Sequence, residues 1–111
     1  MPEYDLEDRT LAFTLPVRDF LKNVPYSLSN KEYTKQLIRS SASVGANYIE
    51  ANAALSKKDF IMRVKICRKE AKESIYWFRL IEGDKDLSEE LIKECRELMM
   101  ILGSMIRKLE N

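Results

Sequence analysis

Between positions 57 and 72 the chain carries seven Lys and Arg residues against only Asp59 and Glu70. At helical spacing Lys58, Lys65, Arg68, Lys69 and Lys72 fall within about 100° of arc. A one-sided row of cations is the arrangement that tracks phosphates and releases their counterions, which makes RNA or DNA one candidate partner. The plainer reading is a solvated face with ion pairs to other helices. Residues 82–97 are the complement, with seven acids against three bases, and pairing between the two segments would neutralise the row. No RNA-binding aromatic motif accompanies it.

A second row is polar but not charged. Gln36, Arg39, Ser40, Ser43, Asn47 and Glu50 step by three and four, so they share one helix face. The functional reading is a hydrogen-bonding surface for a ligand or protein partner. In the structural reading Ser40, Ser43, Gly45 and Ala46 let a neighbouring helix approach, while Arg39, Asn47 and Glu50 set its register.

Catalytic chemistry has little to work with. The chain has no His, which removes the commonest general base and metal ligand. It contains no Gly-rich phosphate loop, HExxH or CxxC. Glu70 and Glu73 lie a turn apart, but carboxylate-bridged metal sites of the ExxH type need the missing His. Cys67 and Cys95 lack partners at zinc spacing and sit on apolar faces, the pattern of buried, reduced thiols. The expectation is a non-enzymatic protein with no cofactor and no metal.

The elements that position these rows are helical. Ser29-Asn30-Lys31-Glu32 has the form of a capping box, Ser56-Lys57-Lys58-Asp59 repeats it with the shorter acid, and Asp86 and Ser88 are candidate caps after Gly83. Pro25 closes the first segment. These marks predict helices near 5–22, 30–54, 57–82 and 88–110. Apolar stripes support each one: Leu6, Phe13, Val17, Phe20 and Val24; Leu37, Ser41, Val44, Tyr48 and Leu55; Phe60, Val64, Cys67, Ala71, Ser74, Phe78 and Ile81; and Leu91, Cys95, Leu98, Leu102, Met105 and Leu109. Short loops make neighbours antiparallel, so the predicted fold is an all-α, up-down four-helix bundle in one domain over residues 1–111. Pro16 should kink the first helix across Ala12–Pro16 or divide it in two.

Several apolar residues exceed one core stripe. Ile92, Met99 and Ile106 widen the last helix's face, Ile66, Tyr76, Trp77 and Leu80 lie off the third's, and Leu11 and Leu15 oppose the first's. A helix apolar all round is buried all round. Trp77, Leu80, Ile92, Met99 and Ile106 are therefore expected to bury one another in a homo-oligomer. Composition agrees with a compact protein: 111 residues, 45% hydrophobic and 33% charged, with three Gly, three Pro and a net charge of +1. No run of 18 apolar residues is present, and the acidic MPEYDLEDRT start lacks the features of a signal peptide. The expected location is the cytoplasm, with no membrane partner.

The stretch from Gln36 to Ala51, QLIRSSASVGANYIEA, resembles the most characteristic segment of the small four-helix bundle proteins associated with intervening sequences of 23S ribosomal RNA genes, often called S23 ribosomal protein. The likeness continues through Ser56, Asp59-Phe60-Ile61, Glu70-Ala71, Glu73-Ser74 and Tyr76-Trp77. It implies a cytoplasmic bacterial protein forming a homopentameric ring, with no catalytic residues and no established function. A related branch serves diversity-generating retroelements as a basic subunit that binds nucleic acid and a reverse transcriptase; this chain is much nearer neutral. Two function classes follow, a weak and non-specific nucleic-acid binder or an oligomeric scaffold for a protein partner.

Overall fold

The computed structural model describes residues 5–111; the opening four residues of the acidic N-terminal stretch lie outside them. Among the described residues four α-helices follow one another with no strand: α1 (Leu6–Lys22), α2 (Leu28–Asn52), α3 (Lys57–Leu80) and α4 (Lys85–Glu110). Each packs its backbone against two others, in the cyclic order α1, α2, α3, α4, and diagonal helices meet only through side chains in the core. Every neighbouring pair is antiparallel, which makes the molecule an up-down four-helix bundle of 45 × 25 × 20 Å.

Local chemistry explains the helix starts. Ser27, extended at φ −157°, caps α2 by accepting from the Asn30 N–H, so the start lies two residues before the expected Ser29. The reason is Asn30, buried at 3% exposure. Its amide donates to the Pro25 and Glu82 carbonyls at 3.0 Å each and its oxygen accepts from the Glu82 N–H at 3.1 Å. These bonds tie the beginning of α2 to the end of α3, and they require Asn30 to sit in the first turn. Ser56 caps α3 as expected, accepting from Asp59 N–H. Asp84 rather than Asp86 or Ser88 caps α4, accepting from Leu87 N–H at 3.1 Å. Ser88 is buried beneath α3, its hydroxyl 3.5 Å from the Phe78 carbonyl.

The expected kink at Pro16 is not confirmed, and α1 is not divided: it runs as one helix from Leu6 to Lys22 with Pro16 inside. The carbonyl that Pro16 leaves unpaired belongs to Ala12, which is exposed, so water can satisfy it and the usual penalty is reduced.

Two clusters form the core. One joins Phe13, Val17 and Phe20 of α1 to Leu37, Phe78, Leu91, Cys95 and Leu98. The other joins Tyr48 and Ala51 to Val64, Cys67, Leu102 and Ile106. The α3 and α4 stripes are buried or half-buried throughout their length. Leu55 departs from expectation: it lies beyond the end of α2 and is 99% exposed. Ile92 and Ile106, expected as surplus, are buried at 9% and 8% within the single chain. Since α4 faces both the core and α3, its apolar face must be wider than one stripe. Met99, Leu80 and Trp77 are half-buried in the same chain. The large apolar residues left exposed include Leu11 and Leu15 of α1 and Ile38 and Ile49 of α2.

Candidate nucleic-acid interface

Each residue of the α3 basic row is exposed. Spanning 14 residues at 1.5 Å rise, the row extends about 21 Å from Lys58 to Lys72. Its fate depends on the acids of α4, and two of those are drawn to α1. Glu94 takes a two-pronged interaction from Arg9 of α1, with Nε to Oε2 and Nη2 to Oε1 both at 2.9 Å. Glu97 accepts from the same guanidinium at 3.1 Å. Glu94 and Glu97 are therefore both engaged by one guanidinium of α1.

Only Lys65 of the row forms an ion pair among the described residues, with Glu110 at 2.8 Å. Both side chains are about half exposed (49% and 47%), so this pair is worth little and yields readily to another anion. Lys58, Arg68, Lys69 and Lys72 make no such pair among the described residues. Arg68 instead lies across Gly103 of α4: a Cβ built on Gly103 would stand 3.3 Å from Arg68 Nε and 3.4 Å from Arg107 Nη1. The bare glycine backbone lets two guanidinium groups converge over α4, so Arg107 joins the row. Sequence reasoning missed Arg107, because only the α3–α4 register brings it beside Arg68.

The polar row on α2 faces α3. Ser40 is fully buried and shares a 2.8 Å hydrogen bond with Ser74 Oγ, which also donates to the Glu70 carbonyl. Arg39 reaches Glu73 at 3.4 Å and Gln36 at 3.3 Å. Asn47 donates to the Ser43 carbonyl at 2.9 Å and accepts from Arg63 at 3.1 Å. Glu50 is exposed. The side chains of Gln36, Arg39, Ser40 and Asn47 thus make hydrogen bonds within the chain, and Ser43 takes part through its main-chain carbonyl. Gly45 serves the other neighbour: an added Cβ would sit 2.9 Å from Thr10 Oγ1, so the glycine admits α1.

Both cysteines are fully buried and unpaired with each other. Burial pushes each thiol up to about 12 from an ordinary 9.0. Tyr48 is raised as well, first by burial and then by the nearby Asp5, Cys67 and Glu7. A raised value means that the folded state keeps a proton which the unfolded chain releases. Stability from the thiols is therefore full below about pH 9 and is lost as pH rises from 9 toward 12. Denaturant titrations at pH 8 and pH 10 should show this loss, and Cys67→Ala/Cys95→Ala should reduce it. An identical pH 8-to-10 loss in the double variant would contradict the assignment.

Among the described residues no cluster of three or more potential metal ligands occurs, and no helix is long and apolar enough to cross a membrane. A surface cleft of about 980 Å³ lies at the α3–α4 turn, with Arg79, Gly83, Glu89 and Arg96 in its lining.

Comparison with known proteins agrees with this architecture. No curated protein matches the chain. A crystal structure of a protein of unknown function from the S23 ribosomal protein family of Bacteroides thetaiotaomicron superposes with a TM-score of 0.77 at 31% identity, covering 92% of this chain and 98% of that one. The family model described as 23S rRNA-intervening sequence protein matches residues 3–108. With that match across nearly its whole length and the four-helix architecture, the chain belongs to the 23S rRNA-intervening sequence protein family.

Proposed function

We propose that the outer face of α3 is a polyanion-binding surface and that the protein is a non-enzymatic, sequence-independent nucleic-acid binder. The observation that carries this reading is that, with Glu94 and Glu97 drawn to Arg9, only Lys65 among the row and Arg107 forms an ion pair among the described residues. Phosphate contact is electrostatic and needs no base-reading residues, in keeping with the absence of a sequence-reading motif. A row engaging about three phosphates has a salt slope near −2.7, so affinity falls about 40-fold between 50 and 200 mM salt. Lys65→Glu/Lys69→Glu should abolish binding at 50 mM. Binding indifferent to both salt and charge reversal would overturn the reading, and so would none at 50 mM; an oligomeric scaffold for a protein partner would then be the better account.

Self-association is a second reading, carried by Leu11, Leu15, Ile38 and Ile49. They are 57%, 42%, 53% and 53% exposed and belong to two helices, α1 and α2, that meet at Thr14 and Ser41. Large exposed apolar side chains on two adjoining helices suit burial against another copy. The resemblance implies a homopentameric ring. Assembly would repeat the α3 row and raise avidity through effective concentration. Light scattering should give a mass several-fold above 13.0 kDa; a monomer at micromolar concentration contradicts it.

A further inference from the structure

Resting on the reading of α3 as a phosphate-binding face, we infer that its ligand is single-stranded nucleic acid and that Tyr76 stacks on an unpaired base. Tyr76 is 58% exposed. At 100° per residue it falls within about 20° of the azimuth of Lys65 and Lys69, one turn beyond Lys72. It therefore continues the cationic row and ends it with an aromatic ring.

The ring is held in place. Tyr76 meets Trp77 edge-on, centroids 5.1 Å apart at 68°, and Trp77 in turn stacks on Tyr33 of α2 at 6.1 Å and 30°. The indole Nε1 donates to Glu73 Oε2 at 3.1 Å, and the same oxygen accepts from Arg39. Trp77 is thereby fixed on two sides, and Tyr76 leans on a rigid support while remaining open to solvent. A preset aromatic surface loses little freedom when a base lies on it.

Cations stand on either side of this ring. Lys72 lies four residues before and Arg79 three after, both exposed and neither ion-paired among the described residues. Together they span about 10 Å along the helix, bracketing a stacked nucleotide with a phosphate partner at each end. Duplexes keep the faces of their bases stacked inside, so a row of cations suits either form of nucleic acid, but a solvent-facing ring set into that row suits the single strand.

The experiment is fluorescence anisotropy at 50 mM salt with a labelled 15-nucleotide single-stranded RNA and the duplex of the same sequence. Wild type, Tyr76→Ala, Tyr76→Phe and Lys65→Glu/Lys69→Glu are compared, each checked for an unchanged helical spectrum. Tyr76→Ala should weaken single-strand binding about tenfold and duplex binding less than twofold, and Tyr76→Phe should retain the wild-type pattern. If charge reversal abolishes binding while Tyr76→Ala leaves the single strand within twofold, or weakens both forms equally, the stacking inference is overturned and the phosphate-binding face stands. If wild type binds neither ligand, or charge reversal changes nothing, both are overturned.

Discussion

Truncating Phe78 to alanine should cost about 3–5 kcal/mol and leave the protein largely unfolded near 37 °C. Phe78 is 2% exposed and belongs to the cluster that joins α1, α2, α3 and α4. Its ring lies 5.8 Å from that of Phe20 at a tilt of 55°, an arrangement worth about 0.5–1.5 kcal/mol beyond buried area. Because all four helices share this cluster, the cavity cannot close by shifting one of them. Chemical denaturation of Phe78→Ala should therefore show the transition displaced to much lower denaturant. Phe78→Leu should recover more than half of the loss; equal destabilisation by the two substitutions would mean that something other than volume is being removed.

Alanine at two buried or half-buried helical glycines should have opposite effects. At Gly45 the new Cβ meets Thr10 Oγ1 at 2.9 Å and Thr10 Cβ at 3.3 Å. Thr10 cannot yield, since it is 1% exposed and its hydroxyl donates to the Leu6 and Glu7 carbonyls at 2.8 and 3.0 Å. Helix propensity favours alanine by about 1 kcal/mol; overpacking against α1 costs about 1–3 kcal/mol. The balance is a loss, and Thr10→Ala, which removes the hydroxyl, should reduce the cost of Gly45→Ala in a double-mutant cycle. At Gly103 the neighbours are the ends of Arg68 and Arg107 at 3.3 and 3.4 Å, long exposed side chains that can swing aside. Gly103→Ala should therefore stabilise the protein by about 0.5–1 kcal/mol. A higher melting temperature for Gly45→Ala would refute this account of the α1–α2 contact, and a lower one for Gly103→Ala would refute that of the Arg68 and Arg107 side chains.

The parts of this architecture visible in the sequence are those with a local cause. The α3 and α4 stripes announce themselves because steps of three and four track a buried face, and Ser56 was readable as a cap because its partner lies three residues away. Asn30 has no local signature, since its decisive bonds run to Glu82, 52 positions on. Leu55 fits the α2 spacing but lies past Asn52, where the helix ends, so the stripe does not reach it. Ile92 and Ile106 looked surplus because a stripe one residue wide underestimates how much of α4 two neighbours cover. The basic row, a property of α3 alone, could be drawn from spacing. Whether acids cover it could not, because that depends on Glu94 and Glu97 meeting Arg9, 85 and 88 residues away in the chain. By spacing Tyr76 is one of several apolar residues off the α3 stripe; its exposure beside a supported Trp77 distinguishes it.

The central claim is that the outer face of α3 is where phosphate is bound, and lysine protection tests it most directly. The protein would be treated with an amine-acylating reagent with and without a single-stranded RNA at 50 mM salt, and each lysine's modification read by mass spectrometry. The free row is exposed, as are Lys22, Lys31 and Lys35 on α1 and α2, so all should react in the absence of RNA. With RNA present, Lys58, Lys65, Lys69 and Lys72 should be protected severalfold while Lys22, Lys31 and Lys35 are unchanged. Uniform protection of all seven, or protection of the α1 and α2 lysines with the α3 row still reactive, would contradict it.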